Sequence, residues 1–139
     1  MKQSINRRQF LGVLAGAPLF FQDFRAKAAP LRKKVKITDV KVMLVKGVNF
    51  VHPMVKIETD AGISGIGESY WGAGIKELML AYCRPVLMGQ DPLAIDVLYT
   101  KMIAMGSGAR SIAGATVTAV SRVEIALWDL AGMLLDAPV

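Results

Sequence analysis

Two side chains in this 139-residue sequence are reactive enough to start a chemical argument, and each type occurs once. His52 lies in the stretch Val48 to Pro53, which reads as a loop between strands. An imidazole is the natural proton-transfer group near neutral pH, although a lone loop histidine is also an ordinary surface residue. Cys83 has no second cysteine for a disulfide and no nearby histidine for a metal site, so it reads as a small buried hydrophobe. No nucleophile stands beside a plausible base, and the eleven carboxylates show no metal-binding spacing. The stretch Gly62-Ile63-Ser64-Gly65-Ile66-Gly67 invites comparison with phosphate loops. It lacks their strand-loop-helix context, glycine order and lysine. Glycines in a hairpin where another backbone approaches closely are the better reading. From the residues alone there is no catalytic set and no metal site.

The elements that must position these residues follow from periodicity. VKITDVKVMLVKG, from Val35, alternates apolar and polar residues as a half-buried strand does. Met54 to Thr59 alternates again, with Val55, Ile57 and Thr59 on one face and Met54, Lys56 and Glu58 on the other. Asp60-Ala61-Gly62 is a turn, and Ile63 to Glu68 returns as a third strand, antiparallel to the second. Helical spacing then takes over. Ile75, Leu78, Met79 and Tyr82 share one face of a helix expected to stop before Pro85. Asp91 and Pro92 supply an N-cap and a first helical residue for a second helix with Ile95, Leu98, Tyr99 and Met102 inward. Gly106-Ser107-Gly108 breaks that helix. A last one is expected from about Gly114 to Leu135, with Val117, Val120, Glu124, Leu127, Ala131 and Leu134 along its stripe and Trp128 beside it. The fold class is therefore α+β, a three-stranded antiparallel meander followed by a small helical bundle, with no internal repeat.

Composition agrees with a globular chain of at most one ordinary domain, at 53% hydrophobic and 20% charged residues. The net charge of +6 is mostly N-terminal, since Lys2, Arg7, Arg8, Arg25 and Lys27 face only Asp23 in the first 28 residues. The later cluster of Arg32, Lys33, Lys34 and Lys36 has no interleaved aromatics, which argues against nucleic acid as a partner. Residues 1–28 show a charged start, an apolar run from Phe10 to Phe21 and the small-residue site Ala26-Lys27-Ala28, the three regions of a signal peptide. The run is shorter than the roughly 20 residues of a membrane span. Arg7-Arg8-Gln9-Phe10-Leu11 resembles the twin-arginine export signal, and Arg25 and Lys27 near the cleavage region fit that pathway. The expected divisions are a signal peptide over 1–28, a linker over 29–34, a folded domain over 35–135 and the start of a linker over 136–139. The resemblance implies the twin-arginine translocase as a partner, a periplasmic location and folding before export.

Four segments in order carry a further resemblance: KITDVKVMLVKG, VKIETDAGISGIGES, RPVLMGQDPLAID and AVSRVEIALWDLAGMLLDAPV. Together they resemble the N-terminal capping domain of the enolase superfamily in its mandelate racemase and muconate lactonizing enzyme branch. IETDAGISGIGE, LMGQDP and ALWDLAG are most similar to acid-sugar dehydratases of the galactonate dehydratase type. The resemblance implies a cap, here over 35–135, set against a (β/α)₈ barrel that carries the chemistry. In that chemistry a Mg²⁺ ion stabilises the enediolate formed when a base removes the proton next to a substrate carboxylate. This chain is then expected to bind no cofactor, to contribute no catalytic residue and to be inactive alone, with the barrel as its missing or separately encoded partner. A stand-alone cap-like module that binds a partner or forms homo-oligomers is the alternative.

By position in the family, the loops that close over the barrel mouth correspond to Val48 to Pro53 and Ser69 to Gly74. The resemblance thus nominates His52, Tyr70 and Trp71 as substrate contacts, Tyr70 and Trp71 being equally suited to packing against the barrel or another subunit. It gives Glu68 a structural hydrogen-bonding role. Arg110, after the Gly-Ser-Gly connection, is within reach of an anionic substrate but reads more simply as a solvated arginine. Two residues depart from the family pattern. Met133 stands where lysine is usual, and Asp136 stands where glycine or asparagine would ease a left-handed cap.

Overall fold

The computed structural model describes residues 25–49, 51–68, 74–106 and 114–138. The chain divides into two compact units, Met1–Leu31 and Arg32–Val139. In the first, the described residues form a short helical turn over 25–28, closed by Ala29 N–H donating to the Arg25 carbonyl at 2.9 Å. Ala26 and Ala28 sit in that turn. Arg7 and Arg8 lie outside the described residues.

The second unit opens with three antiparallel strands in the order β1 (Ile37–Lys46), β2 (Val51–Thr59) and β3 (Ser64–Glu68). The alternation expected of β2 is realised, with Val55, Ile57 and Thr59 buried on the inner face. β1 needs an irregularity that strict alternation does not supply. Ile37 and Val40 are three residues apart, yet both are buried. A register shift between Ile37 and Asp39 reconciles them, because one extra residue re-aims the strand so that both side chains reach the core. The turn between β2 and β3 places Gly62 at φ +74°, where a side chain would be strained, and is closed by Thr59 Oγ1 donating to the Ile63 carbonyl at 2.7 Å.

After the sheet come α1 (Ile75–Leu78), a π-helical turn π1 (Met79–Cys83) and α2 (Arg84–Leu87), which run on without a break. The helix therefore does not stop before Pro85. The wider turn lets Arg84 N–H donate to the Met79 carbonyl five residues back, and Pro85 enters as an early residue of α2, where its missing N–H costs little. The same turn corrects the expected face. With more than four residues per turn, Ile75, Met79, Cys83 and Leu87 line up and are buried, while Tyr82 is turned outward.

Asp91 then organises the entry to α3 (Ile95–Gly106), accepting the N–H of Leu93 at 2.9 Å on Oδ1 and that of Lys33 at 3.0 Å on Oδ2. Two backbone bonds, Ile37 N–H to the Gln90 carbonyl and Gly89 N–H to the Ile37 carbonyl, tie this loop to the start of β1. Ile95, Leu98 and Met102 face the core as their spacing predicts.

The last helix, α4 (Ala115–Leu135), lies across the inner face of the sheet. Its buried stripe is Ala119, Val120, Val123, Ala126, Leu127, Leu130, Ala131 and Leu135. Val117, Glu124 and Leu134 are not in it, because the sheet is met by a stripe one residue round the helix. Alanine and glycine set the separation. A Cβ on Gly65 would come within 2.2 Å of the Ala126 carbonyl oxygen, and one on Gly67 within 2.3 Å of the Arg122 carbonyl oxygen. The glycine-rich segment is thus a site of close backbone approach. Asp129 on the same helix accepts the N–H of Ile66 at 2.8 Å, which covers a donor on the exposed edge of β3. The helix ends with Asp136 in the left-handed conformation, φ +48°, and Ala137 N–H donates to the Gly132 carbonyl in a Schellman-type closure.

Candidate functional site

The outer face of the sheet collects most of the charged side chains that the strands carry, and His52 with them. Cross-strand register places Asp39 opposite Glu58, Lys41 opposite Lys56, Met43 opposite Met54 and Val45 opposite His52. On the other side of β2, Glu58 faces Ser64, Lys56 faces Ile66 and Met54 faces Glu68. Three zones result: a charged ladder at one end, an apolar middle, and the histidine at the other end.

In the charged ladder, Arg84 from α2 donates through Nε and Nη2 to Asp39 Oδ1, at 3.3 and 3.1 Å. Lys41 Nζ lies 2.6 Å from Glu58 Oε2, and Lys56 Nζ lies 3.0 Å from Glu58 Oε1. The Arg84 hydrogen bonds, with help from the Val40 amide, hold the Asp39 carboxyl below its ordinary value. Glu58 is lowered by its bonds to Lys41 and Lys56, and Lys41 is raised by Glu58. These groups lie at the surface, Lys41 and Arg84 exposed and Asp39, Lys56 and Glu58 partly so, and the ladder therefore contributes little stability and mainly keeps the charges mutually neutralised. The apolar middle shows Met43, Val45 and Ile66, each more than two-fifths exposed.

At the far end, His52 is not in a loop. β1 continues to Lys46 and β2 begins at Val51, so Val51, His52 and Pro53 pair with Lys46, Val45 and Leu44. Pro53, which has no N–H to give to a ladder, stands in β2 opposite Leu44, one residue beyond the last described β2–β3 pair, Met54 with Glu68. Strand alternation puts His52 on the same face as Glu68, one pleat away from Glu68's direct partner Met54. His52 Nδ1 lies 2.8 Å from Glu68 Oε1, with side chains 38% and 63% exposed. The structure therefore brings together one nominated substrate contact, His52, and one residue assigned a structural part, Glu68. Pairing was hidden in the sequence because the two are sixteen positions apart and His52 was placed off the strand.

Tyr70, Trp71 and Arg110 lie outside the described residues. Cys83 is buried, and burial pushes its thiol up to about 12, which removes it as a nucleophile or metal ligand near neutral pH. Among the described residues, no three His, Cys, Asp or Glu side chains converge on a point where they would hold a metal ion. Two surface grooves accompany the site without touching it. One, of about 350 Å³, is lined by Asp129, Gly132, Met133, Asp136, Ala137 and Pro138. The other, of about 270 Å³, lies between Arg32, Lys33 and the residues from Asp91 to Val97. Among the described residues this arrangement offers a bordered surface with one imidazole at its rim.

Comparison with known proteins identifies the domain family. Residues 31–139 match the family model of the mandelate racemase / muconate lactonizing enzyme N-terminal domain. The D-xylonate dehydratase of Haloferax volcanii is 42% identical over 106 residues, covering 76% of this chain and 25% of that protein. A D-mannonate dehydratase of Sphingomonas is 35% identical over 111 residues, covering 75% and 26%. Among solved structures, a mandelate racemase/muconate lactonizing enzyme-like protein from Rubrobacter xylanophilus superposes with a TM-score of 0.64 at 34% identity, over 71% of this chain and 25% of that one. An enolase from Pantoea ananatis, solved with bound D-gluconate and Mg, gives 0.64 at 28% identity, over 71% and 24%. The chain spans about a quarter of the length of the relatives it matches. Family match, identity and the meander-plus-bundle architecture agree, and the chain belongs to the N-terminal domain family of the mandelate racemase and muconate lactonizing enzymes, within the enolase superfamily.

Proposed function

We propose that this chain is the capping, substrate-selecting domain of an exported sugar-acid dehydratase or racemase, in which a following (β/α)₈ barrel would carry the proton abstraction next to the substrate carboxylate. The observation that carries the reading is the 42% identity to a D-xylonate dehydratase over 106 residues of this chain. The described residues offer no ligand set for the Mg²⁺ that the reaction would use, so the ion's place is assigned to the barrel. The part left to this chain is recognition. His52, with Tyr70 and Trp71, would meet the substrate, one as a hydrogen-bonding group and two as walls that exclude water. Exposed Ile125, Trp128 and Met133 on α4 are apolar surface that a barrel would cover.

The test is a chimera in which residues 31–138 replace the matching segment of the Haloferax D-xylonate dehydratase. With Mg²⁺ and a panel of sugar acids, a folded chimera is expected to turn over substrate with an altered preference among them. A folded, Mg²⁺-replete chimera that dehydrates or racemises none of the panel would refute the reading.

A further inference from the structure

The register of the outer face sets soft donor atoms side by side. Met43 on β1 stands directly opposite Met54 on β2, and His52 lies two positions from Met54 on the same face of the same strand. Residues opposed across an antiparallel pair have Cβ atoms about 4.5–5.5 Å apart, and alternate residues along a strand are about 6.5 Å apart. Methionine is unbranched and flexible, so two thioether sulfurs and one ring nitrogen fall within reach of a common point above β2. A cross-strand methionine pair is ordinary packing where other side chains cover it. This one lies at the surface, with Met43 46% exposed and the adjoining His52 side chain 38% exposed. The neighbouring charges leave room for a cation. Lys41 and Lys56, one row further along, both hold Glu58, at 2.6 and 3.0 Å, and Glu68, opposite Met54, brings a carboxylate to within 2.8 Å of His52 Nδ1.

We propose that Met43, Met54 and His52 form a binding site for the soft monovalent cation Cu(I). Thioether sulfur selects Cu(I), and imidazole nitrogen suits copper as well. Mg²⁺ and Ca²⁺ take oxygen ligands, and Zn²⁺ takes four from thiolate, imidazole and carboxylate, a set these three side chains do not supply. Strand register carries this inference, which is independent of the capping reading.

The eight methionines of the full chain make the site directly readable when their methyl carbons are labelled with ¹³C. Under anaerobic, reducing conditions, added Cu(I) is expected to shift the Met43 and Met54 methyl signals and to saturate at one ion per chain. Met105 and Met133, 57% and 46% exposed, should stay in place, which separates a built site from mere exposure of thioethers. Zn²⁺ over the same range should move none of the four. Met43→Leu, Met54→Leu and His52→Phe should each weaken Cu(I) binding by at least about tenfold, since loss of a group that only supports a metal ligand already costs that much. Unchanged signals from the buried Met79 and Met102 would show that each variant keeps its fold. Cys83→Ala should bind as the parent does, because that thiol is buried away from the sheet's outer face. Equal shifts at all exposed methionines, binding that disappears in Cys83→Ala, or an affinity unchanged in Met54→Leu would overturn the proposal.

Discussion

Adding one methyl group at Gly65 should unfold much of this domain's margin of stability. The backbone there is an ordinary extended strand, so alanine is conformationally welcome and by itself would stabilise by about 0.4–1 kcal/mol through the unfolded chain. Space decides the outcome. The new Cβ would lie 2.2 Å from the Ala126 carbonyl oxygen and 2.6 Å from both the nitrogen and the Cβ of Leu130. Two of those atoms are helix backbone, which cannot rotate away. Relief requires α4 to back off β3 along the contact made by Ala126 and Leu130, and packing so disturbed costs typically about 1–3 kcal/mol, with rigid obstacles at the upper end. Net destabilisation of about 2 kcal/mol is the expected result, against domain stabilities of about 5–15 kcal/mol. Gly62→Ala is the control, since nothing lies within 4 Å of its Cβ position and only the φ of +74° opposes the change, a cost of about 1–2 kcal/mol. Urea unfolding followed by far-ultraviolet circular dichroism measures both, and a loss of about 2 kcal/mol moves the midpoint by roughly 1 M at an ordinary slope. A Gly65→Ala midpoint at or above that of the parent would show that sheet and helix are not locked at this distance.

Two further outcomes follow from other parts of the chain. Because the Cys83 thiol is held at about 12 against an ordinary 9.0, the unfolded chain loses that proton first, binds fewer protons than the folded one between those values, and gains on it as pH rises. The parent should therefore lose stability relative to Cys83→Ala between about pH 9 and about pH 11, and a constant difference between the two across that range would contradict the assigned burial. For export, changing Arg7 and Arg8 together to lysine should leave the precursor in the cytoplasm when fractions are probed with an antibody, and undiminished periplasmic accumulation would rule out the twin-arginine route.

What could be read in advance divides by the range of the interactions involved. Alternation in β2, the Asp-Ala-Gly turn and the spacing of Ile95, Leu98 and Met102 are local, and each appears where its pattern placed it. The left-handed ending at Asp136 was also legible, as a position where the family prefers glycine. The failures all involve a neighbour distant in sequence. Tyr82, expected inward, is turned outward by a π turn that carries the helix through Pro85, while Cys83 is buried as its type suggested. Glu124 was assigned to a stripe whose true centre is set by where the sheet lies. His52 was read in a loop, and the pairing of Val51, His52 and Pro53 with Lys46, Val45 and Leu44 puts it on β2.

The residues by themselves determined the three-stranded meander, the helical segments after it and the close approach at Gly65 and Gly67. They could do so because backbone sterics, side-chain volume and periodicity act over a few residues. Tertiary structure alone decided that Ile37 and Val40 share a core, that Asp39, Lys41, Glu58, Lys56 and Arg84 form one ladder, and that Glu68 stands 2.8 Å from His52. Those relations depend on strand register, and a shift of one residue in register moves every side chain to the opposite face.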